Sequence, residues 1–322
     1  MKILFSGFRD KNHSSAGGYD KIVNLPGSYY VSDHDVPLGS IPVGQRGKCV
    51  NLFLLDLLTR YLRFKYDITH IFYGDNIIFP YLKLKRHKIV ATIHLDISKR
   101  KRFPSLYVKA LQNLDGVIVL STEQVKLLKR DYNINATFIP HGFSKPQFNI
   151  CKIEIDTLNP INIFFSGVNY RDKNALLESV RYVKDKLLNI VFHIVGQKDD
   201  SFVQQLKQYN NVVCYPRLSD DEYFTLLSSC DYNFLPLTFA TANNALLEAQ
   251  FLGVKSILPN IDGISDYAAP SPINIFYNSL DELFSYWEVL QKQEKQENLI
   301  RYSERFLWEN IYKDLNDFYS KL

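Results

Sequence analysis

Ile161-Asn162-Ile163-Phe164-Phe165-Ser166-Gly167, continued by Val168-Asn169-Tyr170-Arg171-Asp172-Lys173, is the stretch on which the reading of this chain turns. A short apolar run that ends in a small residue and a glycine predicts a buried strand that delivers a loop. Residues 175–186, next in the chain, carry apolar positions at helical spacing and predict a helix. The first half of the chain opens in the same way. Lys2-Ile3-Leu4-Phe5-Ser6-Gly7 reads as a buried strand leading into a loop that contains Gly17-Gly18.

Further strands are expected at 68–73, 89–94, 116–120 and 137–140, then at 190–195, 212–215, 232–235 and 255–258. Helices are expected between them, for example at 105–114 and 122–132. Alternation of this kind indicates an α/β chain made of two doubly wound, Rossmann-like domains, with ligands at the carboxyl ends of the strands. The boundary falls in 146–160, which holds two prolines and little periodicity. It assigns 1–150 to the first domain and 151–304 to the second. The tail from 281 onward reads as helices bearing Trp287 and Trp308, with 291–298 an exposed helix or connector.

The 322 residues suffice for two domains of ordinary size. A hydrophobic content of 46% with 22% charged residues excludes the disordered and coiled-coil classes. No segment reads as a signal peptide or membrane span, since the run 52–58 is broken by Asp56, and a cytoplasmic location is expected. Cys49, Cys151, Cys214 and Cys230 have neither CxxC nor zinc-like spacing and read as reduced packing residues.

The net charge of +4 hides an asymmetry: residues 1–150 carry 22 basic and 11 acidic groups, whereas 151–322 carry 16 basic and 23 acidic. The clusters Lys83-Leu84-Lys85-Arg86-His87-Lys88 and Lys99-Arg100-Lys101-Arg102-Phe103 lie in the basic half. Basic residues beside aromatics suit an anionic membrane surface or a phosphate-bearing acceptor, and equally a solvated face.

Two segments of the second half carry the chemistry. In the loop from Gly167 to Lys173, Arg171 and Lys173 stand next to a helix start, where backbone amides favour an anion. In Leu237-Thr238-Phe239-Ala240-Thr241-Ala242-Asn243-Asn244-Ala245-Leu246-Leu247-Glu248, a small polar loop feeds a helix that opens near Asn243 and stops at Gly253. Small side chains let a ligand approach the backbone, and Glu248 can accept hydrogen bonds from a ribose diol.

These residues resemble the donor domain of GT-B glycosyltransferases, specifically the large retaining family 4. Glu248-Ala249-Gln250-Phe251-Leu252-Gly253-Val254 is similar to the second glutamate of the family's E-x7-E signature and the residues after it. Gly167 and Lys173 keep the family's separation, and Ile194-Val195-Gly196, Ser219-Asp220-Asp221-Glu222, Asp262-Gly263-Ile264 and Phe306-Leu307-Trp308-Glu309 resemble its later landmarks. In the first half, Gly17-Gly18 resembles the glycine pair near the donor phosphate. His94 resembles the histidine facing the donor sugar, and Ile139-Pro140-His141-Gly142-Phe143 the turn closing the first domain. Two positions depart from the pattern. Ala240 stands where the signature has its first glutamate, and Val168 where an arginine often follows the glycine.

The resemblance implies a GT-B fold with a cleft between the domains and a C-terminal helix, about 305–322, crossing back to the first. It implies transfer, with retention, from a nucleoside-diphosphate sugar, UDP favoured over GDP, to a glycan or lipid-diphosphate-linked acceptor in bacterial surface polysaccharide assembly. The resemblance and the reading of the residues together assign catalysis to His94, Lys173 and Glu248, diphosphate binding to Gly17, Gly18, Lys173, Thr241, Ala242, Asn243, Asn244 and Ala245, with Arg171 as a substitute for the arginine absent at 168, and ribose binding to Glu248. His94, Ala240 and Asn243 would line the donor sugar. No metal or other cofactor and no nucleic acid are expected, and the basic half would contact the inner face of the cytoplasmic membrane. Asp33-His34-Asp35 forms a DxD pattern, but too little chain precedes it for the fold in which that motif holds a cation. A non-catalytic GT-B-like protein that binds a nucleotide or glycan for a partner is the other reading, suggested by Ala240.

Overall fold

The computed structural model describes residues 1–8, 16–36, 45–77, 79–97, 104–149, 151, 153, 155–156, 158–197 and 199–322, with backbone alone at 45–50 and 200. The basic cluster at 99–103 lies outside the described residues. The chain divides into two compact units. One comprises Met1–His13, Gly18–Phe143 and Phe306–Leu322, the other Ser14–Gly17 and Ser144–Arg305.

The first unit is built on a parallel sheet of β1 (Ile3–Gly7), β2 (Ser28–Ser32), β3 (Ile68–Ile71), β4 (Lys88–Ile93), β5 (Gly116–Val119) and β6 (Thr137–Phe138), in the order β2-β1-β3-β4-β5-β6. The order reverses between β1 and β3, which makes the carboxyl ends of those two strands this sheet's switch point. Helix α1 (Gln45–Leu62) joins β2 to β3 with a short 3-10 turn, Arg63–Lys65. Helices α2 (Pro104–Gln112) and α3 (Thr122–Tyr132) follow β4 and β5. One sheet face, Ile89, Ala91 and Ile93, packs on Tyr107, Ala110 and Leu111 of α2.

The second unit has β7 (Ile161–Ser166), β8 (Ile190–Val195), β9 (Val212–Tyr215), β10 (Tyr232–Phe234), β11 (Lys255–Pro259) and β12 (Ile275–Tyr277), ordered β12-β11-β10-β7-β8-β9, again all parallel. Ile163 and Phe165 face a core with Leu176, Val180, Phe192 and Trp287, while Phe164 faces Leu226, Leu227 and Ala249. This two-sided burial is why the run from Ile161 lacks alternation. Its helices are α4 (Lys173–Asp185), α5 (Asp200–Leu206), α6 (Asp220–Ser229), α7 (Asn244–Phe251), α8 (Leu280–Val289) and α9 (Glu297–Ser303). The order turns at β7 and β10, so the loops leaving these two strands, Gly167–Asp172 and the segment before α7, meet at the switch point. An antiparallel bridge between Arg171 and Leu237 ties them together, with Asp172 N donating to Pro236 O at 2.7 Å and Thr238 N to Tyr170 O at 3.0 Å.

Several sequence expectations are adjusted. Strands β3, β5, β6 and β10 are shorter than expected by one or two residues. Two edge strands, β2 and β12, and helix α1 were not foreseen. Residues 291–296 are irregular, and only Glu297–Ser303 is helical. Asp33–Asp35 forms one 3-10 turn in which Ser32 accepts from His34 N and Asp35 Oδ2 accepts from Ser32 N at 2.7 Å, a capping box.

Helix α10 (Trp308–Ser320) returns to the first unit's sheet with Trp308, Ile311, Leu315 and Tyr319 buried along one face. It is anchored where the chain passes Gly142: a Cβ there would fall onto the Trp308 indole. Phe143 N donates to Phe306 O and Trp308 N to Phe143 O. Gly142→Ala should therefore lower the stability of the first unit by about 1–3 kcal/mol, read in a Trp287→Phe background as a drop in the urea midpoint followed through Trp308 fluorescence.

Candidate active site

At the switch point of the second unit, Gly167 takes φ +90° and lets the loop turn back over Arg171. Arg171 points inward: its Nε donates to Ser166 O at 2.9 Å and its Nη1 to Asn169 O at 3.3 Å. Burial of the guanidinium lowers its pKa to about 10, and it remains charged at neutral pH. Asp172 caps α4 by accepting from Ala175 N at 3.0 Å. Lys173, the first residue of α4, reaches sideways to Asp199 at 2.8 Å across the ring of Phe202. Lys173, a hydroxyl of Ser201 and the Phe202 amide hold the Asp199 carboxyl well below the usual range.

Helix α7 starts where the sequence placed it. Asn243 is its N-cap, with Oδ1 accepting from Leu246 N at 3.1 Å, and Asn244 and Ala245 begin the first turn. Ala240 is buried, whereas Thr241, Ala242, Asn243 and Asn244 are half-buried. Glu248, one turn further on, is only 3% exposed, so it is not a solvated helix residue. The Tyr223 hydroxyl of α6 donates to Glu248 Oε2 at 2.9 Å and lies 3.2 Å from Ser166 Oγ. Burial, followed by the charge of Glu248, keeps the Tyr223 phenol protonated far above its ordinary range, while nearby Arg171 acts the other way. Ser166, Arg171, Tyr223 and Glu248 thus form one polar cluster linking β7, its loop, α6 and α7. Gln197 adds a further tie, its Nε2 donating to Gly167 O at 2.9 Å.

In the first unit, Gly18 takes φ +106° and is followed directly by a 3-10 turn beginning at Tyr19. His94 leaves β4 with its backbone N 3.0 Å and its ring Nδ1 3.3 Å from Asp75 Oδ2. Tyr19 meets the imidazole edge-on, with ring centres 4.8 Å apart, and Tyr73 lies against it at 4.7 Å. Beneath this group runs a buried chain. Tyr19 OH is 3.1 Å from Thr92 Oγ1, which is 2.7 Å from His70 Nε2, and His70 Nδ1 meets the Tyr319 hydroxyl of α10.

The sequence residues therefore fall into two sets. Arg171, Lys173, Ala240, Thr241, Ala242, Asn243, Asn244, Ala245 and Glu248 gather at one switch point, and Gly18 and His94 are held in the other unit. Tyr223, Asp199, Asp75 and Thr92 were missed. Tyr223 directly follows the quoted run Ser219-Asp220-Asp221-Glu222, yet its meaning rests on a contact with Glu248 that sequence spacing does not reveal. Among the described residues no group of three or more His, Cys, Asp or Glu is arranged to hold a metal ion.

The profile of Glycosyltransferase Family 4 matches residues 19–144, and that of Glycosyl transferases group 1 matches residues 159–276. The chain belongs to the family 4 glycosyltransferases. No curated protein matches this glycosyltransferase closely enough to count. Its fold is that of sucrose-phosphate synthase from Thermosynechococcus elongatus, with 15% identity and TM-score 0.70 over 99% of this chain and 88% of that one. It is likewise the fold of Anabaena HepE in complex with UDP-glucose, with 14% identity and TM-score 0.71 over 100% of both chains. The lipopolysaccharide outer core galactosyltransferase WaaB in its apo form also matches, at 15% identity and TM-score 0.68 over 100% of both. At such identities the likeness is one of fold, GT-B, with two Rossmann-like domains.

Burial lowers the His70 pKa to about 3, so the ring is neutral in the folded glycosyltransferase. The unfolded chain binds this proton near pH 6.5, and the folded one only near pH 3. The stability tied to the neutral ring is thus complete above about pH 6.5 and is lost as pH falls toward 3. In a Trp287→Phe background, where Trp308 reports the first unit alone, the urea midpoint should fall across this range. In His70→Gln the fall should be clearly shallower.

Proposed function

We propose that this glycosyltransferase moves a sugar, with retention of anomeric configuration, from a UDP-sugar to a glycan or lipid-diphosphate acceptor in the assembly of a bacterial surface polysaccharide. A GDP-sugar is the second choice of donor. The observation that carries the reading is Glu248, a buried carboxylate oriented by Tyr223 one turn into α7, above a helix start of small half-buried residues. UDP and UDP-glucose are bound by HepE, which has the same fold.

The amides at Thr241–Ala245, the α7 dipole and the positive charge of Lys173 and Arg171 are suited to a departing diphosphate, the work a metal ion does elsewhere. The Lys173–Asp199 pair is well exposed, with side chains at 36% and 45%, and such pairs are weak. A diphosphate can therefore take Lys173 from Asp199 at little cost. Glu248 would hold the ribose hydroxyls. His94, by family resemblance, would act at the sugar, with Gly17 and Gly18 near its phosphate. Retention without a placed carboxylate nucleophile is met if the leaving phosphate takes the proton of the incoming hydroxyl on the same face. The basic first half suits an acceptor at an anionic membrane face.

UDP should raise the melting temperature of the purified chain, and transfer from a labelled UDP-sugar should fall at least a hundredfold in Glu248→Ala and Lys173→Ala. Wild-type rates in both variants would sink the assignment. UDP binding without transfer by the wild type would leave a nucleotide-binding protein that lacks the reaction.

Tyr223→Phe should weaken UDP binding by about tenfold, the effect of one hydrogen bond to a charged group. In a Glu248→Ala background the same change should cost almost nothing. Additive losses would mean that Tyr223 acts independently of Glu248.

A further inference from the structure

From residue 51 onward, helix α1 is apolar on two opposite faces. Leu55 and Thr59 are buried toward the sheet, Leu55 in a cluster with Leu4, Val31 and Val36. On the opposite side Phe53, Leu57 and Tyr61 recur at four-residue spacing and Phe64 comes three residues later, a single stripe. These side chains are 42%, 46%, 69% and 66% exposed. Single exposed hydrophobics are ordinary, but four large ones in register are not.

The segment before β4 is pinned beside this stripe. Arg60 of α1 donates through Nη2 to Phe79 O at 2.7 Å and through Nη1 to Pro80 O at 3.1 Å, and its guanidinium lies 3.8 Å above the Tyr81 ring. The Tyr81 hydroxyl donates in turn to Asp56 of α1. These bonds hold Phe79 and Leu82, 47% and 72% exposed, next to the helix. Cations border both elements: Lys65 follows Phe64, and Lys83, Lys85 and Arg86 follow Leu82, all exposed. Arg63 lies buried below, with its Nε and Nη1 making no hydrogen bond among the described residues. Of the acidic groups on these segments, Asp56 is paired with Arg60 and Asp67 accepts from Lys2 N.

From this we infer that α1 and the Phe79–Arg86 segment form a membrane-docking face, inserting Phe53, Leu57, Tyr61, Phe64, Phe79 and Leu82 among the acyl chains of an anionic bilayer. Lys65, Lys83, Lys85 and Arg86 meet the lipid phosphates. The inference rests on the membrane-facing reading of the basic half proposed above and gives it a location. Apolar side chains bordered by cations match the interfacial region of an anionic bilayer. A second copy of the chain is a poorer occupant, because a symmetric pairing through this face would set its cations against themselves. No helix among the described residues is long and apolar enough to cross a membrane, so the contact is one of surface docking.

Sedimentation of the purified chain with vesicles tests the inference. It should pellet with vesicles of phosphatidylcholine and phosphatidylglycerol, much less with phosphatidylcholine alone, and be released by added salt. Lys83→Glu/Lys85→Glu and Leu57→Asp/Tyr61→Asp should each lower the bound fraction at equal lipid by roughly tenfold or more. The urea midpoint read from Trp308 in a Trp287→Phe background, which reports the mutated unit, serves as the check on folding and should stay close to that of the wild type, and UDP stabilisation, which depends on the other unit, should be unchanged. Wild-type vesicle binding by both variants overturns the inference, as does a wild type that ignores anionic vesicles. A dimer that Leu57→Asp/Tyr61→Asp converts to monomer, by light scattering, overturns it in favour of self-association. Vesicle binding without UDP stabilisation would refute the donor assignment alone, and the converse would refute the docking face alone.

Discussion

A carboxylate at 3% exposure must be compensated by its neighbours, because a buried, unpaired charge costs several kcal/mol. In the second unit that carboxylate is Glu248, and much of the local architecture serves to hold it. Tyr223 must come from α6 with its hydroxyl directed at Oε2, and Ser166 must end β7 within reach of the same hydroxyl. Arg171 must fold under Gly167 to bring positive charge near the phenol, and that requires the left-handed φ of Gly167. The strand order places these pieces together: β7 and β10 are neighbours at the switch point, so the Arg171 loop and the approach to α7 are hydrogen-bonded to each other.

The first unit solves a related problem with neutral groups. His70 is fully buried in β3 and, with its pKa near 3, carries no charge when folded. It acts as a two-ended hydrogen-bonding element between Tyr319 of α10 and Thr92 of β4, and through Thr92 fixes Tyr19, whose ring edge meets His94. The C-terminal helix is thereby linked to the surroundings of His94 through neutral groups, while Asp75 holds His94 directly. Each unit is built on its own parallel sheet, but they differ in electrostatics: the first links α10 to Tyr19 through neutral groups, whereas the second is arranged around a buried carboxylate.

The legibility of the chain depends on burial. Strands β1, β4, β5, β7 and β8 are buried on both faces and stand out as apolar runs, which made the two-domain α/β reading accessible from residues alone. The edge strands β2 and β12 were not legible. In Ser28–Ser32 both tyrosines are exposed, and Ile275–Tyr277 is only three residues long. Helix α1 escaped notice because apolar residues on opposite faces erase the single periodic stripe on which helix reading depends. In the site, Glu248 and the Asn243 cap were legible because helix-start chemistry is local. Tyr223, Asp199 and Asp75 were not, since each acquires meaning only through a partner 19 to 26 residues away.

Ala240 takes on a physical meaning in this setting. Its loop is fastened to the Arg171 loop by the Leu237 bridge and by contact of the Tyr170 and Phe239 rings, so a side chain at 240 is carried on the same frame as the guanidinium. A glutamate on that frame would add a negative charge to a neighbourhood that already contains Glu248. With alanine, buried at 8%, the loop contributes no charge, and Arg171 is satisfied by the carbonyls of Ser166 and Asn169. Carbonyl dipoles orient a guanidinium without neutralising it, so the frame keeps its positive charge. On the proposed donor reading, that balance would favour an anionic diphosphate over neutral sugar hydroxyls. On the same reading, alanine at 240 would leave the nucleotide side of the proposed site unchanged and would leave selection of the sugar to the shape of the loop and to groups other than a carboxylate at that position.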